Sequence, residues 1–123
     1  MRFMMLVKSQ KSGAPPKEFM DAMAKLAEQA AKDGSLVASG GLAPIAASTR
    51  VRLAQGKIMA TDGPFAETKE VIGGYAVMDF KSKQDAVEGA LRFMELHQKH
   101  WPGWEGETEI RQVQGPEEFA TKA

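Results

Sequence analysis

Residues 61–70, with the sequence TDGPFAETKE, hold the side chains whose types and spacing best suit chemistry. Gly63 can take backbone angles closed to other residues, and Pro64 fixes its own φ, so we expect a rigid turn after Asp62. Phe65 is suited to anchor that turn to a core. A carboxylate held in one position can act as a general acid or base, and we therefore predict Asp62 as a catalytic residue. The alternative is that Asp62 only bonds its own backbone, as turn residues often do.

Charged and aromatic side chains around this turn are candidates for ligand binding. The predicted set comprises Arg50, Arg52, Phe65, Glu67, Lys69 and Tyr75. Arg50 and Arg52 are two residues apart and project from the same face of a strand, so they suit an anion if that face lines a cleft. Lys69 offers a further cation, and the Tyr75 hydroxyl can donate a hydrogen bond. Taken singly, each charge is more typical of a solvated surface, and the prediction rests on the cluster.

His97 is the second catalytic candidate, because histidine exchanges protons most readily near neutral pH. It continues a helical stripe formed by Val87, Leu91 and Met94, which directs it inward at the end of a helix. A structural histidine is the alternative interpretation. His97 and His100 have no third ligand at a suitable spacing, and cysteine is absent, so we predict neither a metal site nor a cofactor.

Length and composition indicate one globular domain. The chain has 123 residues, of which 43% are hydrophobic and 26% charged. Lysine plus arginine equals aspartate plus glutamate at 16 each, which argues against a nucleic-acid partner. Apolar runs are shorter than a membrane span, so we expect no membrane partner and a cytoplasmic location. The predicted domain covers residues 1–114, and residues 115–123 form a C-terminal tail.

Hydrophobic periodicity and turn residues predict six strands and two helices. In chain order these are strand 3–8, a helix opened by Pro15-Pro16 and ended by Gly34, strand 35–39, strands 50–54 and 57–61 joined at Gln55-Gly56, strand 75–80, a helix capped by Ser82 and ended near Trp101-Pro102, and strand 107–113. We expect a flexible segment at residues 40–44. The order predicts a ferredoxin-like α+β fold, an antiparallel sheet with two helices on one face.

The second face of this sheet also needs a cover. Strands 3–8 and 75–80 are apolar on both faces, whereas two helices can cover only one face. A second copy of the chain is the simplest cover, so we predict a homodimer packed sheet to sheet. A monomer with scattered exposed apolar side chains is the alternative.

Four segments carry a family resemblance: GGLAP at 40–44, TRVR at 49–52, DGPFAETKE at 62–70 and GGY at 73–75. Together they resemble the DGPF-type branch of the YCII-related family, and the first and last strands are similar too. The resemblance implies a dimeric α/β barrel of ferredoxin-like subunits. A His–Asp pair is proposed as the active site of related proteins, and the matching motif carries over Asp62 alone, because both histidines of this chain lie outside the first helix.

Two functions from different classes fit these residues. In the first, a dimer cleft binds a small anionic or carbonyl-bearing molecule, and Asp62 transfers protons with support from His97, Arg50 or Lys69. In the second, the domain is a non-catalytic regulatory or protein-interaction module that presents Phe65 and its neighbouring charges. Some relatives are fused to or encoded beside extracytoplasmic-function sigma factors, which implies a link to transcription control for that alternative.

Overall fold

The computed structural model describes residues 1–10, 13–65 and 71–116, and within these ranges it contains six strands and two α-helices. The elements are β1 (Arg2–Ser9), α1 (Lys17–Lys32), β2 (Leu36–Gly41), a short 3-10 turn (Ile45–Ala47), β3 (Thr49–Ala54), β4 (Lys57–Asp62), β5 (Val71–Asp79), α2 (Lys83–His100) and β6 (Glu107–Gln112). Their order confirms the predicted succession of strands and helices.

Four of the strands form one antiparallel sheet in the order β2-β5-β1-β6. With the β3–β4 pair set aside, this is the strand order of a ferredoxin-like α+β fold, which confirms the predicted fold class. The central strand β1 pairs with β5 on one side and with β6 on the other, so β2 and β6 are the edges. The barrel of two such subunits stays a prediction.

The helices meet one face of this sheet, and the core lies between them. Phe3 and Met5 of β1 are buried on that face, and the Phe3 ring lies 6.4 Å from the ring of Phe80. A side chain at Gly89 of α2 would meet the Phe80 ring at about 3 Å, so the glycine lets the helix approach the sheet closely. At the start of α2, the Ser82 hydroxyl accepts a hydrogen bond from the Asp85 amide at 3.1 Å, which confirms the predicted N-cap.

The opposite face, which we call the open face, has an apolar centre and a charged rim. Cross-strand partners point to the same side of a sheet, so the pairs of Met4 with Val77 and of Leu6 with Tyr75 place these four side chains there. The rim consists of two ion-paired groups: Arg2 with Asp79, and Lys8 with Glu109, which also pairs with Arg111. No described helix covers the open face, and the homodimer packed sheet to sheet stays a prediction.

Strands β3 and β4 form a separate hairpin outside the main sheet. They are joined at Gln55-Gly56, where both residues have positive φ, as a two-residue turn of type I′ requires. One face of the hairpin, which we call the apolar face, carries Val51, Leu53, Ile58 and Ala60. The other, the cationic face, carries Arg50, Arg52 and Lys57 with Met59 and Thr61.

One predicted boundary, the end of β2, is corrected, and another, the end of the domain, stays a prediction. Gly40 and Gly41 belong to β2, not to a flexible segment, because Gly40 pairs with Tyr75 and its missing side chain leaves room for that ring. The division at residue 114 stays a prediction, since residues 117–123 lie outside the described ranges. No helix in those ranges is long and apolar enough to cross a membrane.

Candidate functional site

Asp62 is the last residue of β4 and lies exposed at the end of the hairpin nearest the main sheet. It faces Thr49, the first residue of β3, and the Thr49 hydroxyl donates a 2.8 Å hydrogen bond to its Oδ1. Within the described ranges this is the one hydrogen bond to the carboxylate. The side chain is therefore oriented by a single partner and accessible to another molecule.

The turn after Asp62 is fixed against the 3-10 turn. The Gly63 amide donates a 2.7 Å hydrogen bond to the carbonyl of Ser48, and the Ser48 hydroxyl in turn donates to the carbonyl of Ile45 at 2.5 Å. A Cβ atom at Gly63 would lie only 2.2 Å from that Ile45 carbonyl oxygen. The predicted rigidity of the turn therefore comes from close backbone approach, which requires glycine at this position.

The sequence led us to expect that Phe65 anchors the turn in the core. The structure does not place it there. It is half-buried, and the Arg50 guanidinium lies 4.2 Å from the centre of its ring. A cation over an aromatic face is worth about 0.5–1 kcal/mol at an accessible site. The contact ties the end of the turn to β3 and brings two of the predicted ligand-binding residues together.

The hairpin register separates the predicted carboxylate from the predicted cations. Arg50 and Arg52 share the cationic face, which confirms that they point the same way, whereas Asp62 projects from the apolar face. Because Arg50 and Asp62 project from opposite faces of the hairpin, the Arg50 side chain can reach Asp62 only around the end of the two paired strands. Glu67 and Lys69, the other charged members of the predicted cluster, lie outside the described residues.

Tyr75 lies on the open face, at the corner of the sheet from which the hairpin leaves. Its ring passes over Gly40, where a Cβ atom would come within 3.2 Å of the phenol oxygen. At this corner the Leu42 amide donates a hydrogen bond to the carbonyl of Gly73. The phenol of Tyr75 is half-buried there.

His97 is buried in an aromatic cluster between the helices and the sheet. It is 4% exposed, and the rings of Phe19, Phe93 and Trp104 lie 4.4, 4.7 and 4.2 Å from its own. Nδ1 donates a 2.9 Å hydrogen bond to the carbonyl of Phe93. Burial lowers the pKa of His97, and that hydrogen bond opposes the effect without reversing it, so the ring is neutral near pH 7.

The two predicted catalytic residues are not brought together in one subunit. No hydrogen bond or ion pair links His97 to Asp62 in the part of the chain that the structure describes, because one lies in the helical layer and the other on the hairpin. The inward direction that the helical stripe predicted for His97 is confirmed. His100, on the same helix, instead pairs with Glu18 of α1 at 2.7 Å.

Two depressions lie on the α2–β6 side of the protein. The larger, of about 600 Å³, is shallow and is lined in part by His97, Trp101 and Trp104. The smaller, of about 190 Å³, lies between α2 and β6 and includes Met94 and Thr108. Asp62 lines neither of them.

The apolar face of the hairpin is the feature that sequence reasoning missed. Val51, Leu53 and Ile58 are 69, 71 and 74% exposed. The signal lay in the strict alternation of β3, in which arginines at 50 and 52 are interleaved with apolar residues at 51 and 53. Such a pattern indicates a strand with one face intended for burial.

Comparison with known proteins connects this geometry to a family. A search of curated proteins found no match. The family model for the YCII-related domain matches residues 1–93, which include β1 to β5, the whole hairpin and the Asp62 turn, and end within α2. His97 and β6 lie beyond the matched residues. With three quarters of its length covered by that one model, the chain belongs to the YCII-related family.

Proposed function

We propose that the chain acts in the cytoplasm as a homodimer that binds a small anionic or carbonyl-bearing molecule in the cleft between its subunits, with Asp62 as the proton-transfer group. One observation carries this proposal: Thr49 orients the Asp62 carboxylate through a hydrogen bond to Oδ1, and the side chain is exposed. A carboxylate oriented in this way can act as a general acid or base when its second oxygen comes within hydrogen-bond reach of a proton on the bound molecule.

The other residues of the proposed site would stabilise the negative charge that proton removal leaves on the bound molecule. A carboxylate that removes a proton from a substrate leaves negative charge on that substrate, and a nearby donor or cation stabilises it. Tyr75 provides a hydroxyl on the open face, and Arg50 provides a guanidinium already positioned by Phe65. The bound molecule would thus contact Asp62 with its acidic C–H or O–H group and the other residues with its anionic or carbonyl oxygen.

His97 takes a structural role in this proposal. Its ring is enclosed by aromatic side chains, and its Nδ1 is used by the Phe93 carbonyl, so it stabilises the α1–α2 contact. Proton transfer is assigned to Asp62 alone, and the ligand-binding role is assigned to the hairpin end and Tyr75.

The test is a thermal-shift screen of small carboxylates, keto acids and enolisable carbonyl compounds with three proteins: wild type, Asp62→Asn and Asp21→Asn. Asp21 is an exposed aspartate on α1 and provides the matched control for loss of one carboxylate. We expect a ligand that raises the melting temperature of wild type and Asp21→Asn equally and that of Asp62→Asn less. Equal shifts in all three proteins would rule out Asp62 as a binding or catalytic group.

A second candidate function is a non-catalytic regulatory or protein-interaction module, including one linked to sigma-factor-type transcription control. The observation in its favour is that Asp62 is exposed on a projecting hairpin and lines neither depression of the subunit. In that case the Thr49 bond only caps the strand end. The screen then gives no ligand whose binding depends on Asp62, while a partner protein protects the hairpin from proteolysis.

A further inference from the structure

We propose that the larger depression on the α2–β6 side is a binding site for a small organic cation, namely a primary ammonium group on an apolar or aromatic body. The site is separate from the one in the proposed function, because Asp62 does not line it. It can therefore succeed or fail independently of chemistry at the hairpin. Apart from Leu91, its described lining residues also lie beyond residues 1–93, the part of the chain that the family model matches.

The depression has the size of a ligand site and a lining of aromatic rings. Its volume of about 600 Å³ falls within the range of roughly 300–1,000 Å³ that is typical of small-molecule sites. Three of the lining rings lie together, since the centre of the His97 ring is 4.2 Å from that of Trp104 and 6.2 Å from that of Trp101. Both indoles are half-buried, so they still present surface to a bound molecule.

A tight turn holds the two indoles in place. The Trp104 amide donates a 3.1 Å hydrogen bond to the carbonyl of Trp101, and Gly103 between them has a φ of 80°. Pro102 followed by a glycine with positive φ is the pattern of a type II turn. A Cβ atom at Gly106 would lie 2.5 Å from the Trp104 ring, so this glycine lets the ring lie directly against the backbone. The aromatic lining is therefore formed before a ligand binds.

His97 brings an unused hydrogen-bond acceptor to the depression. Its Nδ1 donates to the carbonyl of Phe93, so the neutral ring carries its lone pair on Nε2. His97 is only 4% exposed, yet it lines the depression. Among the described residues, no hydrogen bond reaches Nε2, and no polar side-chain atom without a partner is fully enclosed. Nε2 therefore has access to the depression and can accept a hydrogen bond from a ligand there.

Charge distinguishes a cationic ligand from an anionic one. Glu95 and Glu105 are among the lining residues, and none of the described lining residues is lysine or arginine. Glu95 is exposed and makes no ion pair within the described part of the chain. Tryptophan faces also attract cations more strongly than other aromatic rings do. An anion would be repelled by Glu95, and a carboxylate has no proton to donate to Nε2.

A primary ammonium compound uses all three features of the depression. One N–H can donate to Nε2 of His97, the positive charge can lie near the Glu95 carboxylate, and the apolar body can contact the two indoles. A quaternary ammonium compound keeps the charge but lacks the N–H donor. An alcohol keeps a donor but lacks the charge. Compounds of these two kinds therefore separate the role of Nε2 from that of Glu95.

Intrinsic fluorescence reports on the site directly, because Trp101 and Trp104 are the two tryptophans of the chain. We would titrate the protein near pH 7 with four probes that share a phenyl ring: benzylammonium, benzyltrimethylammonium, benzyl alcohol and benzoate. Free N-acetyltryptophanamide, titrated in parallel, corrects for collisional quenching. We expect benzylammonium to change the emission saturably, with a dissociation constant of about 1 mM or lower. The other three probes should bind at least fivefold more weakly.

Glu95→Gln and Glu88→Gln form a matched pair of variants on α2. Both remove one exposed carboxylate, but Glu88 does not line the depression. We expect Glu95→Gln to weaken the binding of benzylammonium at least fivefold and Glu88→Gln to leave it unchanged. Asp62→Asn should bind benzylammonium as wild type does, which separates this site from the one in the proposed function.

Three outcomes would overturn the proposal: no saturable change in emission with benzylammonium, equal binding of benzoate, and equal affinities of Glu95→Gln and Glu88→Gln for benzylammonium. Binding of benzyltrimethylammonium as tight as that of benzylammonium would exclude Nε2 of His97 as the acceptor.

Discussion

Thr49 and Asp62 close the base of the hairpin through a 2.8 Å hydrogen bond from the threonine hydroxyl to Oδ1 of the carboxylate. They are directly opposed residues at the first and last positions of β3 and β4. The bond orients the carboxylate and also holds the two strands together where they leave the body of the protein.

A double-mutant cycle measures this bond. Thr49→Val removes the donor with little change in shape, and Asp62→Asn removes the charge of the acceptor. We expect the two changes to be non-additive in the free energy of unfolding, with a coupling of about 0.5 kcal/mol or more. Thr61→Val, on the other face of β4, serves as the control partner and should add independently to Asp62→Asn.

The close approach at Gly63 makes a second prediction. Gly63→Ala places a methyl group against the Ile45 carbonyl oxygen and should destabilise the protein by about 1–3 kcal/mol. Gly73→Ala is the control, because a Cβ atom there meets nothing within 4 Å. Urea denaturation compares the variants, and amide exchange at Gly63 reports loss of its bond to Ser48. Equal midpoints with unchanged exchange would contradict the steric argument.

Phe19 should be a major source of stability in the aromatic cluster. It is 3% exposed and packs on His97 and Trp101, so Phe19→Ala should cost about 3–5 kcal/mol in the free energy of unfolding. The neighbouring Met20 is 51% exposed, and Met20→Ala should change that free energy by about 0.5 kcal/mol or less. Comparable losses in the two variants would show that the cluster does not form as described.

Stability should fall as the pH drops below about 6.5, because burial lowers the pKa of His97 in the folded protein. The unfolded chain then takes up a proton at His97 that the folded chain does not, which favours unfolding from pH 6.5 downward until the folded pKa is reached. His97→Phe keeps an aromatic ring in the cluster and should flatten the dependence between pH 7 and 5.

The control for this pH dependence is His100→Gln, which changes the other histidine and should retain the slope. A second loss of stability is expected at lower pH, since the hydrogen bonds from Lys8 and Arg111 lower the pKa of Glu109, and its stabilising charge is lost as the pH falls through that pKa. Identical curves for wild type and His97→Phe between pH 7 and 5 would exclude His97 as the titrating group.

Local signals in the sequence predicted much of the fold. Helix ends and the Gln55-Gly56 turn depend on a few adjacent residues, so their positions could be inferred from residue types alone. The end of β2 could not be inferred in this way, because a pair of glycines is typical of a flexible segment until its cross-strand neighbour is known. Gly40 is a strand residue since the Tyr75 ring occupies the space beside it.

In the candidate site, too, local residue types predicted the local feature and not the contacts between distant residues. The position of Asp62 at a strand end followed from the turn residues after it. The surroundings of Phe65 did not follow, because only the fold brings Arg50 over its ring. That β3 and β4 leave the main sheet is likewise set by contacts between distant residues, which periodicity does not report.

The central position of β1 has a consequence for how the chain folds. Lys8 of β1 bonds Glu109 of β6, 101 residues along the chain, whereas the hairpin needs only contacts between near neighbours. The hairpin can therefore form within about 1–10 μs, while β1 waits for β5 and β6 before its ladders close. During synthesis on the ribosome, one edge of β1 stays unpaired until β6 has emerged, so this strand is the segment that a chaperone would find exposed longest.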